Sequence, residues 1–595
     1  MRRSFIGAGA SALFLLSGAA STGAQAVSVT VTPPSASLQP NGAKQFTAKV
    51  NGSTNPAVTW LVNGVRGGAP STGVISDSGL YTAPADVAKP LAVTVEATAA
   101  ASPAATGDAS VDVAAVTNTG QTFFVATTGN DDNSGAAASP WRHIQHAVET
   151  APSGSTIMVK GGVYNELVTI KRSGFGPAGF TTLAAVAGQT AVIDGTGLGI
   201  PGGQYGLVTI DNASYIRVVG FEIRNYVSHS AADDPIGIYV EGAGSYIELL
   251  SNHIHNITTT VTSSAGDALG IAIYGTRASA PISQLTIDGN ELDDLTLGFS
   301  ESLSLSGNVT EWQVTNNLIH DNNNIGINIE GFFGTAPVAV DFARNGLVAG
   351  NTVYNITSRH NPAYGDSFGA DGIYVDGGAD VTVQQNLVHD ADYGLELASE
   401  IHGRATTEVL AHDNVIHHSF VAGITIGGAS EAHNGGTTDC VIANNTLYDN
   451  DTTQSGSGEF QIQANASLNV FENNILFANG QGLLVNSFVK SSTPAGVLDH
   501  NLYYSSDGAS GSQWLWLGKT HTGFAAYRAA TGLDAHSKFA NPQFADAATA
   551  NFKLGATSPA IDLAENLGLP GVGLYDFAGD PRTVGATIDA GAYEH

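Results

Sequence analysis

The chain has 595 residues, and 52 Asp and Glu against 22 Lys and Arg leave a formal net charge of -30. That balance disfavours nucleic acid, because phosphate binding needs clustered basic side chains. With 72 Gly, 12% charged residues and 43% apolar residues that alternate with polar ones, the composition is that of a folded, all-β, multi-domain chain and not of a disordered or helical one.

Residues 1–26, MRRSFIGAGASALFLLSGAASTGAQA, combine Arg2 and Arg3, a short apolar run and a small-residue site ending at Ala26. This is a signal-peptide pattern, and it predicts export to the periplasm, the cell surface or the medium. No later run is apolar enough to span a bilayer. Cys440 is the single cysteine, so an intrachain disulfide is impossible; its "TTDCVIANN" context predicts a core residue.

Residues 27–115 alternate strand and turn signals, as in "VSVTVTPPSASLQP", "AVTWLVNG" and "LAVTVEATAA". The spacing predicts a small β-sandwich with Trp60 in its core. The stretch "ISDSGLYTAP" resembles bacterial immunoglobulin-like domains, which implies a spacer more than a sugar-binding module. Residues 116–121 read as a linker. From Phe123 the pattern predicts a strand, a short helix with Ile144, Ala147 and Val148 on its apolar face, and two more strands, an order that resembles the N-terminal entry of secreted right-handed parallel β-helix proteins, which implies a helix covering the open end of the coil.

Between residues 122 and 500 the unit Asn-x-[Ile/Val/Leu]-x recurs at Asn252, Asn290, Asn317, Asn351, Asn386, Asn414, Asn445 and Asn474, with a mean interval of about 32. The period predicts one turn of a parallel β-helix per unit, with the Asn side chains stacked as a ladder. A second strand follows each unit, as in "GINIE", "GIYVD", "GLELASE", "GITIGGA" and "EFQIQAN". Its second and fourth residues are apolar and point inward, so the third, fifth and seventh share one outward face. His255, His320, His389 and His417 sit at the fourth position of their units and predict a stacked row, not a metal site. Residues 501–595 read as a helix followed by irregular capping structure, in which Asp562, Asp576, Asp580 and Asp589 serve turns.

Side by side, the outward positions form a stripe. Asn328, Glu330 and Phe332 lie beside Tyr374, Asp376 and Gly378; these face Glu396, Ala398 and Glu400, then Thr425, Gly427 and Ala429, then Gln461, Gln463 and Asn465. Asp376 has Glu330 as direct neighbour and Glu396 and Glu400 on its diagonals. Like charges stacked this way repel, and an ordinary surface would intersperse Lys. No stripe position is Lys or Arg, and the small rung at Thr425 predicts a depression beside the acids. Two carboxyls held at different pKa values can serve as acid and as base or nucleophile, while Asn328, Gln461, Gln463, Tyr374 and Phe332 supply hydrogen bonds and flat faces for a sugar. The long loop "SRHNPAYGDSFGAD" overhangs the same face and adds His360 and Asp371 as substrate contacts.

Residues 122–595 resemble the secreted right-handed parallel β-helix proteins of the pectate-lyase-like superfamily. Asp376 in "GIYVD" and a Glu one turn later resemble the catalytic pair of β-helical β-xylosidases, which implies a nucleophile at Asp376 and an acid/base at Glu396 or Glu400. The expected function is hydrolysis of a plant or microbial poly- or oligosaccharide, with no required cofactor and no metal ligand assigned. The alternative is a calcium-dependent polyuronate lyase, with the acids as calcium ligands and Arg359 or Arg404 as base. A non-catalytic sugar-binding or adhesin protein is the third reading. The sequence leaves the oligomeric state and the identity of the sugar open.

Overall fold

The computed structural model describes residues 27–595 except 39–41, 70, 85–86, 88–89, 101, 115–119, 175–178, 490–495 and 569–571. The signal-peptide segment and most of the linker lie outside the described residues.

Three long parallel sheets dominate, of 16, 13 and 13 strands, and each turn of the right-handed coil contributes a strand to every one of them. One turn shows the construction. Ala379–Gln384 lies in the first sheet, Leu387–Ala391 in the second and Tyr393–Ala398 in the third. Inward Ile, Val and Leu from all three sheets merge into one continuous core, and each fully buried side chain contributes ~1.5–3 kcal/mol. Cys440 is fully buried in that core.

The corner between the first and second sheets is made the same way in every turn. The residue before each ladder Asn holds a positive φ: 52° at Ser251, 55° at Gln385 and 53° at His500. That left-handed step bends the chain sharply and aims the next Asn inward. Asn386 Nδ2 donates to Asn414 Oδ1 at 2.9 Å and to the Val348 carbonyl at 3.0 Å, and its own Oδ1 accepts from the Asn351 main chain and amide. The ladder runs one rung further than the Asn-x-aliphatic pattern predicts, to Asn501, which accepts from Asn474 at 3.2 Å. Tyr503 replaces the aliphatic residue there, which hid the rung from the pattern. Strands Leu502–Tyr504 and Lys538–Phe539 continue the second sheet and Gln513–Trp516 the third, so the coil extends past residue 500.

The entry is covered by helix Ile144–Thr150, whose first-turn N–H groups of Ile144 and Gln145 both donate to Glu166 at 2.9 Å. Before it, residues 28–113 form small sheets of two, five and four strands around Phe46, Trp60, Tyr81 and Val95, an arrangement consistent with a β-sandwich. After the coil, helix Phe524–Thr531 precedes a segment that folds back along the ladder corner. There the buried Arg582 donates to Asp413 and pairs with Glu594 at 3.7 Å, and Asn444 donates to the Asp589 carbonyl at 2.9 Å. Asp562, Asp576 and Asp589 accept main-chain N–H groups in this segment. On the second sheet, His320, Tyr354, His389 and His417 stack with interplanar angles of 1°, 2° and 4°.

Candidate active site

The third sheet carries the acidic stripe. Register pairs Asn328 with Tyr374 and Glu330 with Asp376, then Tyr374 with Glu396 and Asp376 with Ala398, then Glu396 with Thr425 and Thr425 with Gln461. Ile373 and Val375 point into the core, whereas Tyr374 and Ala398 pack together on the opposite face with Ile325. The alternation therefore sets Asp376 outward between its acidic neighbours.

Outward does not mean open here. Asp376 is 1% exposed, Asp371 3% and Glu330 8%, and the loop between Ile356 and Asp371 forms a roof beside them, with Tyr364 near Glu301, Asp371 and Glu400. One oxygen of Asp392 fixes the loop's two ends, accepting from Ser358 N, Ser358 Oγ, Gly369 N and Ala370 N at 2.8–3.0 Å. Asn361 donates to the Gly298 and Asn323 carbonyls, and the Tyr364 ring stacks on Phe299 at 4.9 Å. The roof is thus tied across three turns.

Beneath it the carboxyls crowd one another. Burial raises the pKa of Asp376 well above the usual range, and Glu400, Glu330 and Glu396 add repulsion; a 2.8 Å hydrogen bond from the Glu400 main-chain N–H to Asp376 Oδ1 works the other way. Glu396 is pushed up to about 7, first by burial, while a hydrogen bond shared with Asp371 partly offsets it. That shared bond requires a proton on one of the two, and burial together with Glu396 raises Asp371 strongly. Burial also raises Glu330, against hydrogen bonds from Ser304 (2.6 Å) and Ser306. Glu400 stands at the exposed rim, with its carboxyl raised by the protein around it. No ion pair among the described residues reaches any of these acids.

Glu301 belongs to the same cluster and escaped the sequence reading. It is raised by burial, then by Glu330 and Asp267, and it is hydrogen-bonded to Asn328. It lies two residues before the strand "LSLSG" at 303–307, the rung between "GIAIY" and "GINIE", which lacks their Gly-apolar start. Asp392 was legible in principle: it lies six residues after a ladder Asn, as does Asp451, which staples the loop at 455–458 in the same way.

The other stripe residues divide. Gln463 donates to Gln461 at 3.0 Å, and Gln461 to Ser457. Asn328 donates to Glu330 at 3.3 Å. Asn328 Oδ1, Asp371 Oδ1, Thr425 Oγ1 and Gln463 Oε1 are buried on this face without hydrogen-bond partners. Phe332 departs from the stripe. Its strand ends at Glu330, Phe332 turns off at φ 74°, and its ring is sandwiched near Phe342 and under the Arg404 guanidinium at 4.5 Å. His360 is exposed, and among the described residues no hydrogen bond or ion pair links it to the acids. The depression expected at the Thr425 rung is closed, because the extra strand Gly436–Thr438 packs there and Thr437 Oγ1 accepts from Gly427 N at 2.8 Å. The open space lies next to it. A cavity of about 270 Å³ is lined by His402, Arg404, Glu431, Asn434 and Asn465, and Asn434 donates to the Glu400 carbonyl.

Calcium takes six to eight oxygens. Among the described residues three ligand atoms converge within 4.8 Å in two groups, Asp499–His500–His536 and Glu472–His500–Glu565, and neither contains a stripe acid.

A family model described as Pel9A-like, right handed beta helix region matches residues 123–278, and one described as right handed beta helix region matches residues 334–516. The uncharacterized protein YwoF of Bacillus subtilis is 36% identical over 447 residues, spanning 75% of this chain and 93% of its own length. The chain belongs to the YwoF family of right-handed β-helix proteins. Pectate lyase PEL9 of Emericella nidulans is 32% identical over 142 residues, 23% of this chain and 32% of its own. Among solved structures, XylC in complex with xylose is 12% identical, covers 79% of this chain and 98% of its own, and superposes with a TM-score of 0.43. No helix among the described residues is long and apolar enough to cross a membrane.

Proposed function

We propose that this YwoF-family protein is an exported glycoside hydrolase acting on an oligo- or polysaccharide, with Asp376 as nucleophile or general base and Glu400 as general acid. One observation carries the pairing: the Glu400 main-chain N–H holds Asp376 Oδ1 at 2.8 Å, which locks the two residues side by side with Asp376 enclosed and Glu400 at the rim. Glu396 is engaged with Asp371, so its role is to hold a proton within the cluster and not to meet the leaving group.

The chemistry follows from these positions. The Glu400 N–H offsets part of the rise in the Asp376 pKa, and in its ionised form Asp376 attacks the anomeric carbon or takes a proton from water. Glu400 gives its proton to the departing glycosidic oxygen. The cavity beside Glu400, lined by His402, Arg404, Glu431, Asn434 and Asn465, is a place for a sugar unit.

A polyuronate lyase is the second reading, favoured by the stretch related to pectate lyase PEL9. Less in its favour, no three-ligand cluster among the described residues includes a stripe acid. Arg404 and Arg359, the candidate bases, lie instead over the Phe332 and Phe368 rings. Incubation of the chain with neutral glycans and with polyuronates separates the readings. Hydrolysis releases reducing ends, gives no unsaturated-uronate ultraviolet absorbance and survives chelator. Unsaturated products that vanish with chelator would replace the hydrolase reading by the lyase one.

A further inference from the structure

At the far end of the coil a second group of ionisable side chains gathers outside the acidic stripe. Glu472 and Asp499 are register partners on adjacent strands of the first sheet. His500 follows at the ladder corner. His536 stands just after the last helix, and Glu565 comes from the segment that folds back along the coil. Asp499, His500 and His536 bring one ligand atom each within 4.8 Å of one another, and so do Glu472, His500 and Glu565, with His500 common to both sets.

The interactions inside this group are incomplete. Asp499 Oδ2 meets His536 Nδ1 at 2.7 Å, and its Oδ1 accepts the main-chain N–H groups of His500 and His536. The two imidazoles stack at 4.8 Å. His500 Nδ1 lies 3.3 Å from Glu565 yet is buried without a hydrogen bond. Glu472 is 7% exposed, and among the described residues its carboxyl has neither a hydrogen-bond partner nor an ion pair. A buried carboxylate facing two more acids is costly unless a cation joins them.

We propose that Glu472, Asp499, His500, His536 and Glu565 supply a structural zinc site that clips the C-terminal segment to the last turns of the coil. Imidazole and carboxylate together suit zinc, whereas calcium and magnesium take oxygen ligands alone. The site spans four segments that are distant in sequence, so a bound ion ties the fold-back segment to both the first sheet and the last helix.

The untagged full-length protein, stripped with chelator and dialysed, is titrated with zinc chloride and, for spectroscopy, with cobalt chloride. The expected result is about one equivalent of zinc retained, a rise in Tm on zinc addition, and visible cobalt absorption of a low-coordinate site. His536 is largely exposed, so His536→Gln should leave the metal-free Tm unchanged and weaken zinc binding by at least the roughly tenfold that loss of even an outer partner brings. Glu472→Gln should raise the metal-free Tm and abolish the zinc response. Sub-stoichiometric zinc, or equal binding in both variants and the parent chain, overturns the site.

Discussion

Two faces of one coil handle buried polar groups in opposite ways. At the ladder corner each interior Asn is fully buried and fully paired: Asn386 alone exchanges four hydrogen bonds with its neighbours above, below and beside it. On the third sheet, the turns that carry Asn317 and Asn351 bury Glu330, Asp371 and Asp376 with few donors and, among the described residues, no ion pair. The ladder is what a solenoid does with polar groups when only stability matters. The acidic stripe departs from that rule, and such departures are where function is expected.

The largest effect should come from the acid pair. Asp376→Asn keeps the acceptor for the Glu400 N–H and removes the charge, so turnover should drop by ~10²–10⁴-fold or more while the fold stays intact. Glu400→Gln should lose a comparable factor if it is the general acid, and Glu396→Gln much less. Equal losses in the two Gln variants, measured as kcat/KM on the same glycan, would move the acid role away from Glu400.

The ladder should break in the other direction. Asn386→Ala strands the partners of four hydrogen bonds and should cost about 3 kcal/mol or more in denaturant unfolding. Activity per folded molecule should persist. A ladder variant as stable as the parent would mean that the Asn stack is incidental.

pH should separate the faces next. A carboxyl with a raised folded pKa stays protonated in the native state where the unfolded chain has already released its proton. Its stability contribution is therefore present in acid and declines as pH rises from about 4 toward the folded value, about 7 for Glu396. Native stability should fall across that window, and Asp376→Asn and Glu301→Gln should flatten the decline while Asn386→Ala leaves its slope unchanged. The smallest effect is on the rate profile. Glu330→Gln removes a repulsion from Asp376, so the acidic limb of kcat/KM should move to lower pH by roughly one unit or less.

Much of this contrast is written in the chain. The ladder positions follow from a single recurring unit, and the period-2 alternation sets Asp376 opposite Ala398 and beside Glu330 without any coordinates. What the alternation cannot carry is depth. Strand parity says which way Asp376 points, but the roof beside it is a loop stapled by Asp392, a contact 22 to 34 residues apart. Glu301 was hidden because its rung starts without glycine, and Phe332 was misplaced because a left-handed turn ends its strand early. The proposal of Glu400 over Glu396 rests on one main-chain hydrogen bond, which no side-chain pattern encodes.

The most direct measurement compares Asp376→Asn with the parent chain at neutral pH, recording turnover on a cleaved glycan and thermal unfolding in the same preparation. The account predicts a variant that is catalytically dead and melts at or above the parent temperature, because a buried carboxyl crowded by other acids has been removed. A variant that still turns over, or one that loses activity only because it unfolds, would contradict it.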